Sequence, residues 1–324
     1  RICWAGTPRP RTNRDRGNGE KEGTMTTNTA AVRVPGTTAN LGSGFDVLGV
    51  ALRLYNRVVV TRVPGKGVRI VSPIAEDARA GATEMVAEAA SAFFRATRSR
   101  SFGFGISITG DVPVARGLGS STTVLVGALA ALDALTGAGL GKEGVFQLAN
   151  ELEGHPDNAA PATFGGFTAS APAGAGACVA RFPVSAKARF VVLVPGFEVR
   201  TADARRLLPS EYAKVDVVHA LGRVAMITAA FASGNLEQLA GMFDDRVHQP
   251  CRTPLIPALP KVIAAGVRAG AVGGWLSGSG STIVCLATGD AARVGRAMQR
   301  ELPESRLHVV GADPTGYRIE PARG

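Results

Sequence analysis

The feature that most constrains this chain is a glycine- and serine-rich loop that joins a short strand to an apolar helix. The loop runs from Pro113 to Thr123 and reads PVARGLGSSTT. The alternating stretch before it, 106–110, is typical of a half-buried strand, and the apolar stretch after it, 124–135, predicts a buried helix of about three turns. Glycines let a ligand approach the backbone, and a helix N-terminus offers unpaired N–H groups and partial positive charge. The loop therefore predicts a phosphate site.

The loop fits neither of the two common phosphate motifs. A Walker loop requires a lysine after its last glycine, but Ser120 follows Gly119 directly, and Thr122 occupies the third glycine position of the dinucleotide fingerprint. A second interpretation stays open on these residues alone: Ser120, Ser121 and Thr122 are helix N-caps, and the glycines only form the turn. Two further glycine-rich segments favour the phosphate interpretation.

Length and composition exclude several classes of protein. A chain of 324 residues with 45% hydrophobic residues and 41 glycines holds one large or two medium domains of a Gly/Ala-rich, soluble type. Residues 1–24 lack apolar periodicity, which predicts a disordered or extraneous leader with Met25 as a candidate start. Net charge is +10, but the arginines are dispersed and aromatic residues make up only 6%, which argues against a nucleic-acid surface. No apolar run is expected to span a bilayer.

The cysteines point to a reducing compartment. The four of them show no CxxC spacing, so neither a disulfide framework nor a zinc site is predicted. Helices are predicted over 83–97, 142–153, 216–232, 235–243 and 290–301, and a strand at 68–71 is expected to pair with the one at 54–62. The connector-like stretch 171–176, APAGAG, is the candidate domain boundary.

Polar residues recur beside the glycine-rich segments. Asn40 and Asp46 lie within GTTANLGSGFDVLGVAL, where an amide and a carboxylate suit a small polar ligand, although residues of Asx turns would look the same. His155 begins HPDN directly after a helix that ends at Gly154, and a structural or a functional histidine fits equally. Thr201 and Arg205 are one helical turn apart, and Arg252 lies between prolines.

Three glycine- and serine-rich segments in this order, NLGSGFD, PVARGLGSSTT and GGWLSGSGST, resemble the GHMP kinase superfamily. The middle segment matches its P-x3-G-L-G-S-S motif at every fixed position. Within the superfamily, VPGTTANLGSGFDVLGVAL, EGHPDNAAPATFGGF, VPGFEVRTADARRLLP and HQPCRTPLIP look like the homoserine kinases, and the match covers roughly 32–286. The resemblance implies an α+β, two-domain fold. An N-terminal, ribosomal-protein-S5-like ATP domain with a left-handed βαβ unit would span 25–172, and a ferredoxin-like α/β sandwich 173–324.

The same resemblance implies ATP-dependent phosphorylation of the side-chain hydroxyl of L-homoserine, with Mg²⁺, in threonine biosynthesis. Mg²⁺ would be held by Ser121 and Glu153, with Glu151 the less favoured alternative to Glu153. The catalytic residues would be Arg205, Asn158 and His155. Homoserine would contact Asn40, Asp46, His155, Asn158, Thr201, Arg205, Arg252, Gly278 and Gly280. ATP phosphates would contact Pro113, Val114, Ala115, Arg116, Gly117, Leu118, Gly119, Ser120, Ser121 and Thr122.

Relatives that act on mevalonate place an aspartate where this chain has Asn158, and an amide cannot serve as a general base. Phosphoryl transfer depends more on positioning and charge neutralisation than on proton abstraction, so we expect base-independent transfer with Asn158 orienting the hydroxyl. In the third segment, GGWLSGSGST, Ser281 stands where the family has proline, and we expect this change to have little effect on the loop. Trp275 is expected to pack in the core under the same segment.

Two alternatives to homoserine phosphorylation are another GHMP kinase, of mevalonate or shikimate type, and a non-catalytic ligand-binding member. Asp46 with Arg205 and Arg252 favours an amino acid, which needs both an anion and cations. ATP and L-homoserine are the expected partners, in the cytoplasm. Neither nucleic acid nor membrane is expected, and a homodimer is left open.

Overall fold

The computed structural model describes residues 28–73 and 76–321, so the predicted leader and Met25 lie outside the described residues. The first of its two sheets has seven strands, in the order β11-β1-β2-β4-β3, with β5 paired to β2 and to β6. Their bounds are Thr29–Ala39 (β1), Leu48–Val63 (β2), Val68–Ile70 (β3), Gly103–Gly110 (β4), Phe167–Ala173 (β5), Gly176–Phe182 (β6) and Arg318–Glu320 (β11).

Four helices cover the first sheet: α1 (Glu76–Thr97), α2 (Ser120–Thr136), α3 (Gly141–Glu153) and α4 (Pro156–Phe164). The middle of α2 is buried almost all round, against β1, β2 and the three other helices, as its apolar composition predicts. Strands β3 and β4 run parallel and are joined by α1, which makes them a βαβ unit. The handedness of that unit stays a prediction.

The second sheet has four antiparallel strands: β7 (Arg189–Val194), β8 (Gly273–Leu276), β9 (Ile283–Ala287) and β10 (Arg306–Val310). Their order is β10-β7-β9-β8, which is the order of a ferredoxin-like sheet. Helices α8 (Leu259–Arg268) and α9 (Ala291–Glu301) pack on it, whereas α5 (Thr201–Arg206), α6 (Lys214–Ser233) and α7 (Gln249–Arg252) lie in the connection from β7 to β8. The predicted two-domain α+β fold is confirmed.

The stretch 171–176 is the turn region of a hairpin rather than a connector. Strands β5 and β6 pair from Phe167↔Phe182 to Ala173↔Gly176, so a boundary at 172/173 falls inside the first sheet. The chain changes sheets between Phe182 and Arg189, and β11 returns to the first sheet at the end. One hydrophobic cluster contains buried residues from both sheets, and the rings of Phe167 and Phe231 stack 4.2 Å apart across the junction.

Helix α6 departs from the expectation that no apolar run is long enough to span a bilayer. Its 20 residues pass that test by length and composition, so the expectation is wrong as stated. The helix is mostly exposed, and Val215, Val218 and Leu221 are among its exposed apolar side chains. A single helix of this kind is weak evidence for a membrane, and an exposed apolar face equally marks a protein interface.

Candidate active site

The three glycine- and serine-rich segments meet in space. A Cβ on Gly117 would lie 2.1 Å from the carbonyl oxygen of Ser277, so the second and third segments contact each other through their backbones. The Ser277 hydroxyl lies 2.6 Å from the carbonyl oxygen of Gly117 and 2.9 Å from Oγ1 of Thr38, on β1 just before the first segment. Trp275 Nε1 donates to the same Thr38 oxygen at 2.9 Å. Its buried ring packs on Phe243, which confirms its predicted place under the loop.

The start of α2 bears on the two interpretations of the middle loop. Gly119 is the N-cap, with φ 66°, and no side chain of the described residues caps the helix, so the hydroxyls of 120–122 are not N-caps. A Cβ on Gly119 would lie 2.1 Å from Thr37 Oγ1 and 3.1 Å from Asn158 Oδ1. The first turn of α2 therefore keeps backbone N–H groups without a side-chain partner, which suits an anion.

The earlier part of the loop is held against the second domain. Arg116 donates from Nε to the carbonyl oxygen of Pro195 (3.1 Å) and from Nη2 to that of Gly196 (3.0 Å), and its Nη1 pairs with Glu198. Its guanidinium is thus already satisfied. Ala115 adopts φ 51°, and the side chain of Val114 is exposed. The backbone N–H groups, more than these side chains, are what this part of the loop offers a ligand.

Glu153 lies at the end of α3, next to the start of α2. Its Oε1 accepts from Thr122 Oγ1 at 3.1 Å, and the Ser121 hydroxyl also interacts with the carboxylate. Burial raises its pKa, and it forms no ion pair within the part of the chain that the structure describes. Glu151 is exposed. A half-buried carboxylate beside a serine hydroxyl is a suitable donor set for a hard cation.

His155, Asp157 and Asn158 form a hydrogen-bonded chain at the start of α4. Asp157 is buried, and its Oδ1 lies 2.8 Å from His155 Nδ1 and accepts from Asn158 Nδ2 at 3.2 Å. Thr37 Oγ1 donates to Asn158 Oδ1 at 2.6 Å, which fixes the orientation of the amide. Burial acts to lower the pKa of His155, but the hydrogen bond and charge of Asp157, together with the charges of Asp46 and Glu153, raise the net pKa.

Asp46 and Arg205, predicted to bind opposite ends of a substrate, contact each other. The guanidinium donates from Nη2 to Oδ1 (2.9 Å) and from Nη1 to Oδ2 (3.1 Å). One ligand atom from each of Asp46, His155 and Asp157 lies within 4.8 Å of the others. The two acids and the histidine therefore surround one point beside Arg205.

Arg252 is the buried cation of the site. Only 2% of it is exposed, and its Nη1 donates to the carbonyl oxygen of Gly278 (2.9 Å) and contacts His248 Nδ1 (3.1 Å). Burial lowers its pKa, and the nearby Arg205 lowers it further. The ring of Phe45 lies between the two arginines, with their guanidinium carbons 5.3 and 5.5 Å from its centroid.

Asn40 and the third loop complete the arrangement. The Asn40 amide accepts from the backbone N–H of Asp46 (3.1 Å) and donates to the carbonyl oxygen of Gly278 (3.1 Å), so it joins two loops. Thr201 contacts Ser279 at 3.3 Å, and Gly278 and Gly280 adopt φ 55° and 94°. All predicted site segments thus converge here.

Sequence reasoning left His248, Asp157, Phe45 and Thr37 out of the site. Asp157 stood inside the HPDN turn, and His248 stands four residues before Arg252, the spacing of neighbours on a helix face. Nothing in the local sequence marked Phe45 or Thr37.

Comparisons with known proteins agree with this geometry. The family model described as GHMP kinases N terminal domain matches residues 84–166, and the one described as GHMP kinases C terminal matches 227–304. A homoserine kinase of Thermus thermophilus is 42% identical over 86% of this chain and 94% of its own length. One from Moorella thermoacetica is 39% identical over 82% and 90%. The crystal structure of a homoserine kinase from Cytophaga hutchinsonii gives a TM-score of 0.84 at 28% identity, covering 93% of this chain and 100% of that one.

Proposed function

This chain belongs to the homoserine kinases, a family of GHMP kinases, and from that membership we propose that it transfers the γ-phosphoryl group of ATP to the side-chain hydroxyl of L-homoserine. The product would be O-phospho-L-homoserine, for threonine synthesis. One observation carries the proposal: the uncapped start of α2 lies beside a cluster with a carboxylate and two arginines. An anionic polyphosphate suits the first part, and a zwitterion suits the second.

The two ends of the amino acid match different groups. Arg252 is buried without a carboxylate partner among the described residues, so it suits the substrate carboxylate. Asp46 and Asp157 place carboxylate oxygens close together, which suits a primary ammonium. Thr201 contacts the third glycine-rich segment, which carries Gly278 and Gly280, and Asn40 donates to the carbonyl oxygen of Gly278. We place these four residues in the same substrate site.

The chemistry proposed is positioning and charge stabilisation without a general base. The Asn158 amide is oriented by Thr37 and Asp157, so it is placed to orient the attacking hydroxyl. Asp157 holds the His155 ring through Nδ1 at 2.8 Å, so the imidazole is fixed in place beside Asn158. Arg205 would turn from Asp46 toward the charge that develops during transfer, and the N–H groups of 113–122 would surround the phosphates.

We propose Ser121 and Glu153 as the residues that hold Mg²⁺. Both supply oxygen ligands, and Glu153 lacks a competing ion pair among the described residues. When bound, the ion neutralises charge on the transferring phosphoryl group.

A cytoplasmic location and a homodimer complete the proposal. The reaction consumes ATP, which the cytoplasm supplies. The exposed apolar face of α6 supports a second copy as partner.

The test is an ATP-dependent phosphorylation assay of the purified chain over four acceptors: L-homoserine, mevalonate, galactose and shikimate. We expect ADP release with L-homoserine at least about 100-fold above the others in kcat/KM, since a site that pairs both substrate charges rejects molecules lacking one of them. Preference for mevalonate or shikimate would assign another acceptor. Binding of Mg·ATP without turnover of any acceptor would make the chain a ligand-binding member.

A further inference from the structure

The Arg252 guanidinium is held at one end by two acceptors. Its Nη1 donates to the carbonyl oxygen of Gly278 at 2.9 Å and lies 3.1 Å from His248 Nδ1. Its Nε is buried and has no hydrogen-bond partner within the described residues. Nη1 carries two protons, so both are used by these contacts. The edge formed by Nε and Nη2 remains, and a guanidinium edge is what binds a carboxylate with two parallel hydrogen bonds.

His248 can accept from Arg252 only in one state of its ring. The side chain is fully buried, and its Nε2 lies 2.9 Å from the carbonyl oxygen of Gly42, which requires a proton on Nε2. Nδ1 then carries a lone pair toward Arg252. Burial lowers the pKa of His248 to about 4, so the ring is neutral at physiological pH. The Nε2–H tautomer satisfies both contacts together.

The surroundings of His248 hold the ring in place. Asp245 accepts from the backbone N–H groups of Val247, His248 and Gln249 at 2.7–2.9 Å, which fixes the turn before α7. The ring of Phe45 packs on the imidazole, with centroids 5.4 Å apart. Because His248 also binds the carbonyl of Gly42, it links Arg252 to the loop that carries Asp46.

We propose that His248 is a positioning residue for substrate recognition: its Nδ1 fixes the Arg252 guanidinium so that the Nε–Nη2 edge receives the carboxylate of the amino-acid substrate. The inference rests on the proposed function and adds a residue that acts only through Arg252. Without the Nδ1 acceptor, only the Gly278 carbonyl holds Nη1, so the side-chain torsions that lead to the guanidinium are less restricted and the edge is less preorganised.

Two variants separate the two hydrogen bonds of the ring. In His248→Asn the amide oxygen replaces Nδ1 and accepts from Arg252, whereas in His248→Gln the amide nitrogen replaces Nε2 and donates to Gly42. We expect His248→Gln to raise the KM for L-homoserine about 10-fold or more, with the KM for ATP within about twofold of wild type. His248→Asn should keep the KM for L-homoserine within about threefold, since it retains the bond to Arg252.

A substrate analogue without the carboxylate tests the route of the effect. For 3-amino-1-propanol the Arg252 edge has no ligand, so His248→Gln should lower the kcat/KM ratio of L-homoserine to 3-amino-1-propanol about 10-fold. An unchanged ratio, or equal losses for ATP and L-homoserine, would overturn the positioning role and leave the kinase assignment standing. A wild-type chain that fails to phosphorylate L-homoserine would overturn the proposed function instead.

A measurement on the wild-type chain removes any dependence on how the variants fold. Long-range ¹H–¹⁵N spectra of the histidine rings report which nitrogen carries the proton. We expect the Nε2–H tautomer for His248 at pH 7, with an unprotonated Nδ1. A protonated Nδ1 would contradict the proposal, because that nitrogen could not accept from Arg252.

Discussion

The ion pair between Asp46 and Arg205 joins the loop proposed to receive the substrate ammonium to helix α5. The two side chains are 30% and 37% exposed, so water screens the pair and it contributes on the order of 1 kcal/mol or less. In the proposed mechanism a substrate ammonium opposite Asp46 would compete with this weak contact, and Arg205 would be released toward the phosphoryl group. Arg252 is buried and has no such partner among the described residues, so in the proposed mechanism it would stay in place for the carboxylate.

Replacing Arg205 should damage turnover more than replacing Asn158. We expect Arg205→Ala to lower kcat about 10²- to 10³-fold, the loss typical of a removed transition-state donor, and Asn158→Ala about 10-fold, since an amide only orients the hydroxyl. Steady-state kinetics at saturating Mg·ATP measure both. Equal collapse of the two variants, or a pH–rate profile with an essential carboxylate, would speak against base-independent transfer.

Replacing Glu153 tests its proposed role as a Mg²⁺ ligand, and Glu151, two residues earlier, provides a matched control. Glu153→Gln keeps an acceptor for Thr122 but removes the negative charge, so the Mg²⁺ concentration for half-maximal rate should rise about 10-fold or more. Glu151→Gln, on the exposed side of α3, should leave the Mg²⁺ dependence within about twofold, because a solvated carboxylate adds little to a distant ion. Titration of Mg²⁺ at fixed ATP measures this concentration for both variants. A rise in Glu151→Gln but not in Glu153→Gln would assign the metal ligand to Glu151.

The buried His248 makes stability depend on pH in a defined direction. Its pKa falls from 6.5 to about 4 on folding, so the unfolded chain binds the proton first as pH drops. This contribution to stability is complete above pH 6.5 and is lost between pH 6.5 and 4, by about 3 kcal/mol. Urea unfolding at pH 7 and pH 4 measures it. In His248→Gln the loss over the same interval should be smaller by that amount, and an equal loss would refute the buried neutral ring.

At the scale of elements, the turn that starts α2 depends on Gly119. Gly119→Ala would bring a Cβ against Thr37 Oγ1 and near Asn158. At the other end of α2, Gly137 has φ 65°, and no atom of the described residues lies within 4 Å of a Cβ there. Both alanines should cost about 1–2 kcal/mol for the left-handed backbone, but only Gly119→Ala should lower kcat, by about 10-fold or more. Thermal unfolding measures the stability of the two variants, and steady-state kinetics measure their kcat. Equal activity in both variants would remove Gly119 from the site.

Element predictions succeeded where local sequence determines the structure and failed where distant contacts do. The apolar α2 and the amphipathic α9 lie where periodicity put them. Residues 235–243 form only a short 3-10 turn at Leu236–Leu239, because Gly241 adopts φ 72° while the apolar residues still reach the core. Strand β3 pairs with β4 instead of β2, since the crossover through α1 sets β4 between them. Pairing across such distances has no local signal.

At the scale of the whole molecule, the segments that form the candidate site could be recognised from sequence because they are loop motifs. Asp46, Arg205 and Arg252 lie in three separate segments, and the glycine-rich loops bring them together. His248 could not be assigned in the same way. Its contact with Gly42 spans 206 positions, and its burial follows from packing of the second domain against the first. Supporting residues of this kind follow from tertiary packing and leave only faint spacing signals.

The apolar face of α6 carries the last prediction, that two copies of the chain associate through it. Leu221 is 65% exposed, and a Cβ on the adjacent Gly222 would meet no atom of the described residues within 4 Å, so their fold does not require that glycine. A helix-interior glycine costs about 1 kcal/mol relative to alanine, and close approach of a second helix would account for a glycine at this position.

We expect light scattering to give about twice the 33.3 kDa of one chain for the wild type. Leu221→Glu should give the monomer mass, because it would bury an unpaired charge. Val71→Glu, also at a 65% exposed position but beside β3 on the first sheet, should remain dimeric. A wild-type monomer, or a dimeric Leu221→Glu, would assign the face to another partner.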